Sequence, residues 1–456
     1  MSNLLIKGGT IVTPKRQFKG DITVEDGRIK SIADYSNLPD KKSNLAVSND
    51  FEVIDATGLH LFPGVIDDQV HFREPGAIAK ATIYSESRAA ILGGVTSFMD
   101  MPNNNPPATS NDTIEHKFKI AEKDSYANYS FYLGATNDNL NEILAVDKKH
   151  VCGVKVFMGS STGNMLVDND TALEEIFAKS PVLVATHCED EATIKANLQY
   201  YKELYAGREI PFSAHPLIRS REACIKSTSK AIELAKRFRT RLHILHISTA
   251  EEIKMITDAV ADGYKNITGE ICVHYLYFNS KDYERMGSKI KCNPAIKDEP
   301  DMLALREAVK DGTIKVVATD HAPHLFMEKE HDYLNAPSGL PLVQHSFQLM
   351  MELVKQGIFK IEDIPAVMSQ GPAENFGIKE RGAIKEGYFA DLFIADINLP
   401  DKTSTKYPAY KCGWSPFADI NFSTSIKYTI VNGVVAAKDG KITGCSNAMP
   451  LEFNRI

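Results

Sequence analysis

The stretch "GVIDDQVHFREP", Gly64 to Pro75, sets Gln69, His71 and Arg73 at alternate positions after a short apolar run. Side chains two apart in an extended segment point the same way, so Gln69 and His71 could reach one ion. A histidine in place of Gln69 would complete a ligand pair with His71. Alone, a single loop histidine is an ordinary water-facing side chain. The stretch "GVKVFMG" places Lys155 among Val154, Val156 and Phe157, and a lysine is seldom fully buried without a partner. Burial disfavours the ammonium form and lowers its pKa. The neutral amine can then add carbon dioxide and, as a carbamate, bridge two metals. The alternative is an ion pair with a carboxylate inside the fold.

Two further apolar runs end in imidazoles, "PVLVATHCED" in His187 and "RLHILHISTA" in His246. Neutral imidazole suits zinc-like ions. His243 and His246 differ in parity, which predicts that they face opposite sides of their strand. His246 is the better candidate because it stands at the strand's end, before Ser248 to Glu251, which reads as a helix capping box. Cys188 reads as a buried thiol. The run "VVATDHAPHLFMEK" puts Asp320 after apolar residues, with His321 and His324 behind it. An Asp there can bind a metal and take a proton from the water it activates, the pairing that hydrolytic metal sites need. Each residue alone is weak; the same pattern at the ends of successive runs is not.

These run ends require a scaffold that brings them to one place. Eight candidate strands, Val65–Asp67, Val95–Met99, Ser130–Leu133, Val154–Phe157, Val182–Thr186, Leu242–His246, Thr268–Ile271 and Lys315–Thr319, alternate with helical stretches. That alternation marks parallel strand-helix units. Eight of them predict an α/β fold, a closed (β/α)8 TIM-like barrel with its chemistry where strands end and loops begin. The chain ends read differently. Short strands with an Asp26-Gly27 turn open the sequence, and the same texture returns near its end with Asn432-Gly433 and Asp439-Gly440 turns. The expected division is a small β-sandwich from residues 1–60 plus 375–456, and a barrel over 61–374.

Composition agrees with one large and one small domain. The 456 residues are 43% hydrophobic and 24% charged, ordinary for a globular chain with a sizeable core. A net charge of −7, with Lys and Arg scattered, argues against nucleic acid and for a small-molecule substrate. No apolar run reaches the roughly 20 residues that span a bilayer, and the N-terminus lacks a signal-peptide core, so no membrane association and a cytoplasmic location are expected. Seven cysteines without a Cys-x-x-Cys pair argue against disulfides or a zinc-thiolate site.

With these residues in view, the chain resembles the amidohydrolase superfamily, and within it the dihydroorotases, over nearly its whole length. That family's first motif has two His flanking one residue, then an aromatic or apolar residue and Arg; here it reads Gln69-Val70-His71-Phe72-Arg73. The stretch "ATDHAPHLFMEK", Ala318 to Lys329, matches the dihydroorotase pattern at every defined position, and "KCGWSPF", Lys411 to Phe417, is familiar from these enzymes. The resemblance implies metal ligation by His71, a carboxylated Lys155, His187, His246 and Asp320, with one or two zinc ions and carbon dioxide as the carbamate on Lys155. Gln69 is a doubtful ligand, through its carbonyl oxygen. Arg73, Asn103, Asn293 and His324 are implied to hold the substrate, with Arg73, Asn103 and His324 around a free carboxylate. Gly339 is a plausible addition, although "PSGLPLVQHS" departs from the Gly-rich, Glu-containing version usual in the family.

Hydantoinases and dihydropyrimidinases lack the Arg of the first motif, and allantoinases carry Asn there and a different residue at His324. Arg73 with His324 therefore favours a carboxylate-bearing ring. The implied reaction is the reversible cyclisation of N-carbamoyl-L-aspartate to L-dihydroorotate in pyrimidine biosynthesis, with Asp320 passing a proton to the leaving nitrogen in the hydrolytic direction. The rival readings are a hydantoinase- or allantoinase-type enzyme, and an inactive dihydroorotase-like partner of aspartate transcarbamoylase, the last supported only by Gln69. A homodimer is the family's habit.

Overall fold

The structure, a computed structural model, describes residues 3–37, 50–159, 165–444 and 446–455. At the N-terminal end, β1 (Asn3–Val12), β2 (Gln17–Glu25), β3 (Arg28–Asp34), β4 (Phe51–Asp55) and β5 (His60–Pro63) form the first part of a nine-stranded sheet. Then come the eight strands expected from the sequence: β6 (Val65–Val70), β7 (Val95–Asp100), β8 (Asn128–Gly134), β9 (Gly153–Phe157), β10 (Val184–His187), β11 (Leu242–Ile244), β12 (Ile267–Cys272) and β13 (Val316–Ala318). They pair in chain order, all parallel. Helices such as Asn111–Asp124, Arg221–Phe238 and Ala250–Ala261 run between them. A parallel strand is covered on both faces, which is why β8 and β9 are buried at every position and read as short unbroken runs.

The barrel closes between its first and last strands. Val70 bridges His321 in parallel, His71 N donates to His321 O at 2.7 Å, and the buried Asp67 carboxylate accepts from Thr319 Oγ1 at 2.6 Å and Thr319 N at 3.2 Å. This seam sets the loop after β6 against the loop after β13.

The chain ends meet as expected. β14 (Leu392–Asp396), β15 (Ser425–Val431), β16 (Val434–Lys438) and β17 (Lys441–Ile442) join the N-terminal strands through the antiparallel pairing of β14 with β5, giving one mixed sheet. Asp26, Asn432 and Asp439 have φ of 49°, 47° and 47°, each followed by a glycine at positive φ, as two-residue hairpin turns demand. Asp391 ties this sheet to the barrel. Its carboxylate is held by Arg381, accepts from Asn432 N at 2.8 Å, and meets Asn128 Nδ2 at the start of β8.

Three local expectations are corrected. The helix at Ala250 is capped by Thr249 with Glu252, one residue later than the Ser248–Glu251 reading. β6 continues to Val70, carrying Gln69 inside the strand. β11 stops at Ile244, so the two-residue period ends before His246, whose φ is 40°. His246 thus lies outside the strand, where the parity rule does not apply: His243 Nε2 lies 3.2 Å from Glu270 Oε2, and His246 Nε2 lies 2.9 Å from His187 Nδ1.

One buried ion pair fixes the loop after β7. Lys117, from the helix Asn111–Asp124, meets Asp100 Oδ2 at 2.6 Å and also donates to Met101 O and Asn104 Oδ1. Asp100 Oδ1 in turn accepts from Phe72 N at 2.7 Å. Removing one partner of a buried pair leaves an uncompensated charge, so Lys117→Met should destabilise the fold by about 3–5 kcal/mol. Urea unfolding measures this, and a loss under about 1 kcal/mol would contradict the role given to the pair.

Candidate active site

The eleven residues singled out in the sequence, Gln69, His71, Arg73, Asn103, Lys155, His187, His246, Asn293, Asp320, His324 and Gly339, all line one cavity of about 300 Å³ at the C-terminal ends of the strands. Arg73, His246 and Asp320 share an unusual backbone, with φ of 64°, 40° and 51°. Non-glycine residues adopt such values at a cost of order 1–3 kcal/mol and do so where surrounding structure enforces it, often at functional sites. Here the turn swings each side chain off its strand and into the cavity.

Lys155 is 1% exposed, and among the described residues no carboxylate comes within ion-pair distance of its Nζ. Its one recorded close contact is the face of Phe157, 4.7 Å from the ring centroid. Burial lowers its pKa to about 8 against the opposing pull of Asp320 and Glu270. The alternative of a simple ion pair is therefore not realised.

The imidazole nitrogens meet one another and the carboxylates around them. Glu189 Oε2 accepts from His187 Nε2 at 2.8 Å, which leaves His187 Nδ1 unprotonated and 2.9 Å from His246 Nε2. His246 Nδ1 is buried without a partner among the described residues. Burial holds both rings neutral, His246 well below the usual imidazole range. Across the cavity, His71 Nδ1 lies 2.7 Å from Asn103 Oδ1 and its Nε2 lies 2.9 Å from Asp320 Oδ1. Gln69 presents its amide nitrogen to that same Asp320 oxygen at 3.3 Å, while its carbonyl oxygen faces Cys272 Sγ. Electron-rich atoms converging in two groups, beside an unpaired buried lysine, are a donor set suited to cations.

The third part of the cavity is cationic. Arg73 Nε donates to Pro323 O, and no carboxylate pairs with its guanidinium among the described residues. Burial depresses its pKa. His324 Nε2 donates to Ser338 O at 3.0 Å and its Nδ1 accepts from Lys80 Nζ at 3.0 Å, with Arg73 Nη2 3.2 Å from Nε2. Burial, Arg73 and Lys80 push the imidazolium form far out of reach, so His324 is neutral. Asn293 Oδ1 is buried without a partner. Gly339 stands at φ 140°, and a Cβ there would meet Ala322 O at 2.4 Å, so only glycine permits this approach.

Several supporting residues escaped the sequence reading. Lys80 looked like any loop lysine. Glu189 stands two residues after His187 and its signal was that spacing; Arg219, which pairs with it, carried none. Lys291 and Lys329, with pKa lowered by burial to about 8 and about 7, donate to the carbonyls of Tyr333, Ala336, Pro337 and Gly339 and so hold the loop that covers the cavity. Trp414 Nε1 donates to His324 O, which gives the "KCGWSPF" stretch its place. Two neighbours lie apart from the cavity. His321 is fully buried, bonded to Glu86 and to the N–H groups of Leu342 and Val343. Cys188 is a buried thiol bonded to Thr186, its pKa pushed up to about 11.

Another group spaced for a metal is Asp68, His243 and Glu270, fully buried, with ligand atoms within 4.8 Å of one another. None of the three lines the cavity. Burial and the neighbouring Asp68 hold the Glu270 carboxyl protonated, so this cluster reads as a carboxyl pair bonded to an imidazole. Glu270 Oε1 accepts from His246 N at 3.3 Å, linking it to the base of the site.

The comparisons with known proteins agree with this geometry. The chain is 32% identical to a dihydroorotase of Methanosarcina acetivorans over 99% of this chain and 94% of that one. It is 32% identical to an allantoinase of Desulfitobacterium hafniense over 96% of each. Among solved structures, the L-hydantoinase (dihydropyrimidinase) of Arthrobacter aurescens superposes with a TM-score of 0.92 at 26% identity, covering 100% of both chains. The amidohydrolase family model matches residues 60–436. A barrel bearing these donors at its strand ends, and a match spanning most of the sequence, make this chain a member of the amidohydrolase family.

Proposed function

We propose that this chain is a dihydroorotase, interconverting L-dihydroorotate and N-carbamoyl-L-aspartate. The observation that carries the reading is Arg73: a half-buried guanidinium lining a small cavity, beside neutral His324 and Asn103, with no carboxylate to pair with among the described residues. A planar guanidinium fork suits a substrate carboxylate. Dihydroorotate carries that group on its ring, whereas hydantoin and allantoin do not.

The donor set fits two cation positions. Lys155, His187 and His246 would hold one and His71 with Asp320 the other, Lys155 as a carbamate reaching both. Zinc there would supply Lewis acidity at the amide carbonyl and lower the pKa of water to near neutrality. Asp320 Oδ1 is engaged by His71 and Gln69, so Oδ2 is free to take the proton of the attacking water. In hydrolysis a C–O bond forms at the ring carbonyl, the C–N bond breaks, and Oδ2 delivers its proton to the leaving nitrogen. In cyclisation Asp320 takes the proton back from that nitrogen. Arg73 and Asn103 Nδ2 orient the ring by its carboxylate, with neutral His324 packed beside Arg73. Lys80 fixes the His324 tautomer, and the loop held by Lys291 and Lys329 limits the entry of water.

A second reading, hydrolysis of a ring without a carboxylate, draws support from the allantoinase and hydantoinase likenesses. Assays with dihydroorotate, hydantoin and allantoin separate the two. Dihydroorotate should be turned over at least about ten-fold faster than either, a difference of about 1.4 kcal/mol. Arg73→Met should lower kcat/KM for dihydroorotate by about ten- to hundred-fold, the loss of a charge-assisted pair, with metal content unchanged. Preference for hydantoin or allantoin, or indifference to Arg73→Met, refutes the reading. A fully metal-loaded protein inert toward all three would instead favour a scaffold role beside a partner such as aspartate transcarbamoylase.

Gln69 directs a separate measurement. Its amide nitrogen offers no lone pair to a cation, so the position made by His71 and Asp320 should be the weaker. Metal analysis after dialysis against a chelator should find one firmly held zinc per chain. Gln69→His should retain a second, with the remaining ion tightened by about ten-fold or more. Identical metal content in the two proteins would show that Gln69 is not what limits that position.

A further inference from the structure

At the opposite end of the barrel, the N-terminal ends of β10 to β13 border a second cavity, of about 630 Å³, twice the volume of the first. Its apolar lining comes from Leu183, Ile256, Val260, Ile267 and Val316. Four charged side chains reach it, Arg241, Lys265, Lys315 and Glu374, and three are cationic on a chain whose formal charge is −7. Among the described residues none of the three cations has a carboxylate within ion-pair distance, while Glu374 Oε1 already accepts from Gln370 Nε2 at 2.6 Å. Arg241 makes one recorded hydrogen bond, Nη2 to Asn375 O at 2.9 Å. Arg241 is exposed at the rim of the cavity, and partial desolvation of its guanidinium lowers its pKa.

An apolar wall with unpaired cations at its mouth is complementary to a molecule with a flat apolar body and one anionic group. The volume is that of ordinary small-molecule sites, roughly 300–1,000 Å³. The residues of the catalytic cavity take no part in it. We propose that this basal cavity is a second ligand site, for a small organic anion whose aromatic or aliphatic body lies on Ile256, Val260 and Ile267 and whose carboxylate, sulfonate or phosphate is held by Arg241 and Lys315.

The test uses the full chain and 8-anilinonaphthalene-1-sulfonate, an aromatic anion whose fluorescence rises on burial, with the uncharged N-phenyl-1-naphthylamine as its counterpart. One saturable sulfonate site per chain is expected. Its dissociation constant should rise at least about ten-fold in Arg241→Met/Lys315→Met, equivalent to about 1.4 kcal/mol, and equally in Thr257→Trp, which fills the cavity and keeps both cations. It should be unchanged in Arg73→Met, and the uncharged amine should bind at least about ten-fold more weakly than the sulfonate. Thermal unfolding checks that each variant is folded. Absence of saturable binding, indifference to both basal variants, loss of binding in Arg73→Met, or equal affinity for the uncharged amine would each overturn the proposal. The readout requires no turnover, so it stands or falls separately from the assigned reaction.

Discussion

The site depends on the seam that closes the barrel. Asp67 on β6 accepts from the backbone and hydroxyl of Thr319, and His71 N donates to His321 O. These bonds join segments about 250 residues apart in sequence and fix the distance between the loops they precede. His71 meets Asp320, and Arg73 meets His324, because this seam is in register. A parallel barrel brings all its strand ends to one face, but only closure brings the first and last strands together. The positive φ values of Arg73 and Asp320, one on each side of the seam, then turn both side chains inward.

Around that seam the protein handles buried charge in two contrasting ways. Where charge holds the fold, it is paired: Lys117 with Asp100, Arg381 with Asp391, Arg219 with Glu189. Where the cavity awaits something, it is not. Among the described residues, the buried Lys155 and the half-buried Arg73 have no carboxylate partner, and His246 keeps a nitrogen unbonded. An unpaired buried charge or polar atom costs free energy that a stable fold ordinarily avoids. Lys155, Arg73, His246 and Asn293 line one small cavity, where a bound ligand or cation would satisfy them, an argument from this chain's own atoms that stands beside its likeness to other amidohydrolases.

Gln69 is the exception in the donor set, and its surroundings show how the fold accommodates it. The amide nitrogen donates to Asp320 and the carbonyl oxygen accepts from Cys272. Both ends of the side chain are satisfied without a cation, unlike the imidazole of His246. The other group, Lys155, His187 and His246, keeps its shape through Glu189 and its partner Arg219, which fix the His187 tautomer independently of Gln69. The two halves of the site are therefore supported by different parts of the barrel.

The sequence by itself determined the elements and most of the donors. Short apolar runs alternating with helical stretches read as strands covered on both faces, and the polar residues that end them fall at the barrel's mouth, so His187 and Asp320 were legible from local pattern, while Lys155 stood out as a lysine inside such a run. Asp-Gly and Asn-Gly pairs likewise fixed the hairpins, because few residues tolerate positive φ. Tertiary structure decided what lies next to what. Sequence periodicity placed His243 and His246 on opposite sides of a strand, but β11 ends at Ile244 and the chain turns before His246, which the cavity receives. Lys80, Arg219 and Lys291 carry no local signal, since a lysine or arginine in a loop looks alike whether it faces water or, as Lys291 does, a carbonyl 42 residues away. The orientation of the Gln69 amide and the cationic mouth of the basal cavity belong to the same class. They are set by distances between remote segments, and a linear sequence states such distances only once the chain has folded.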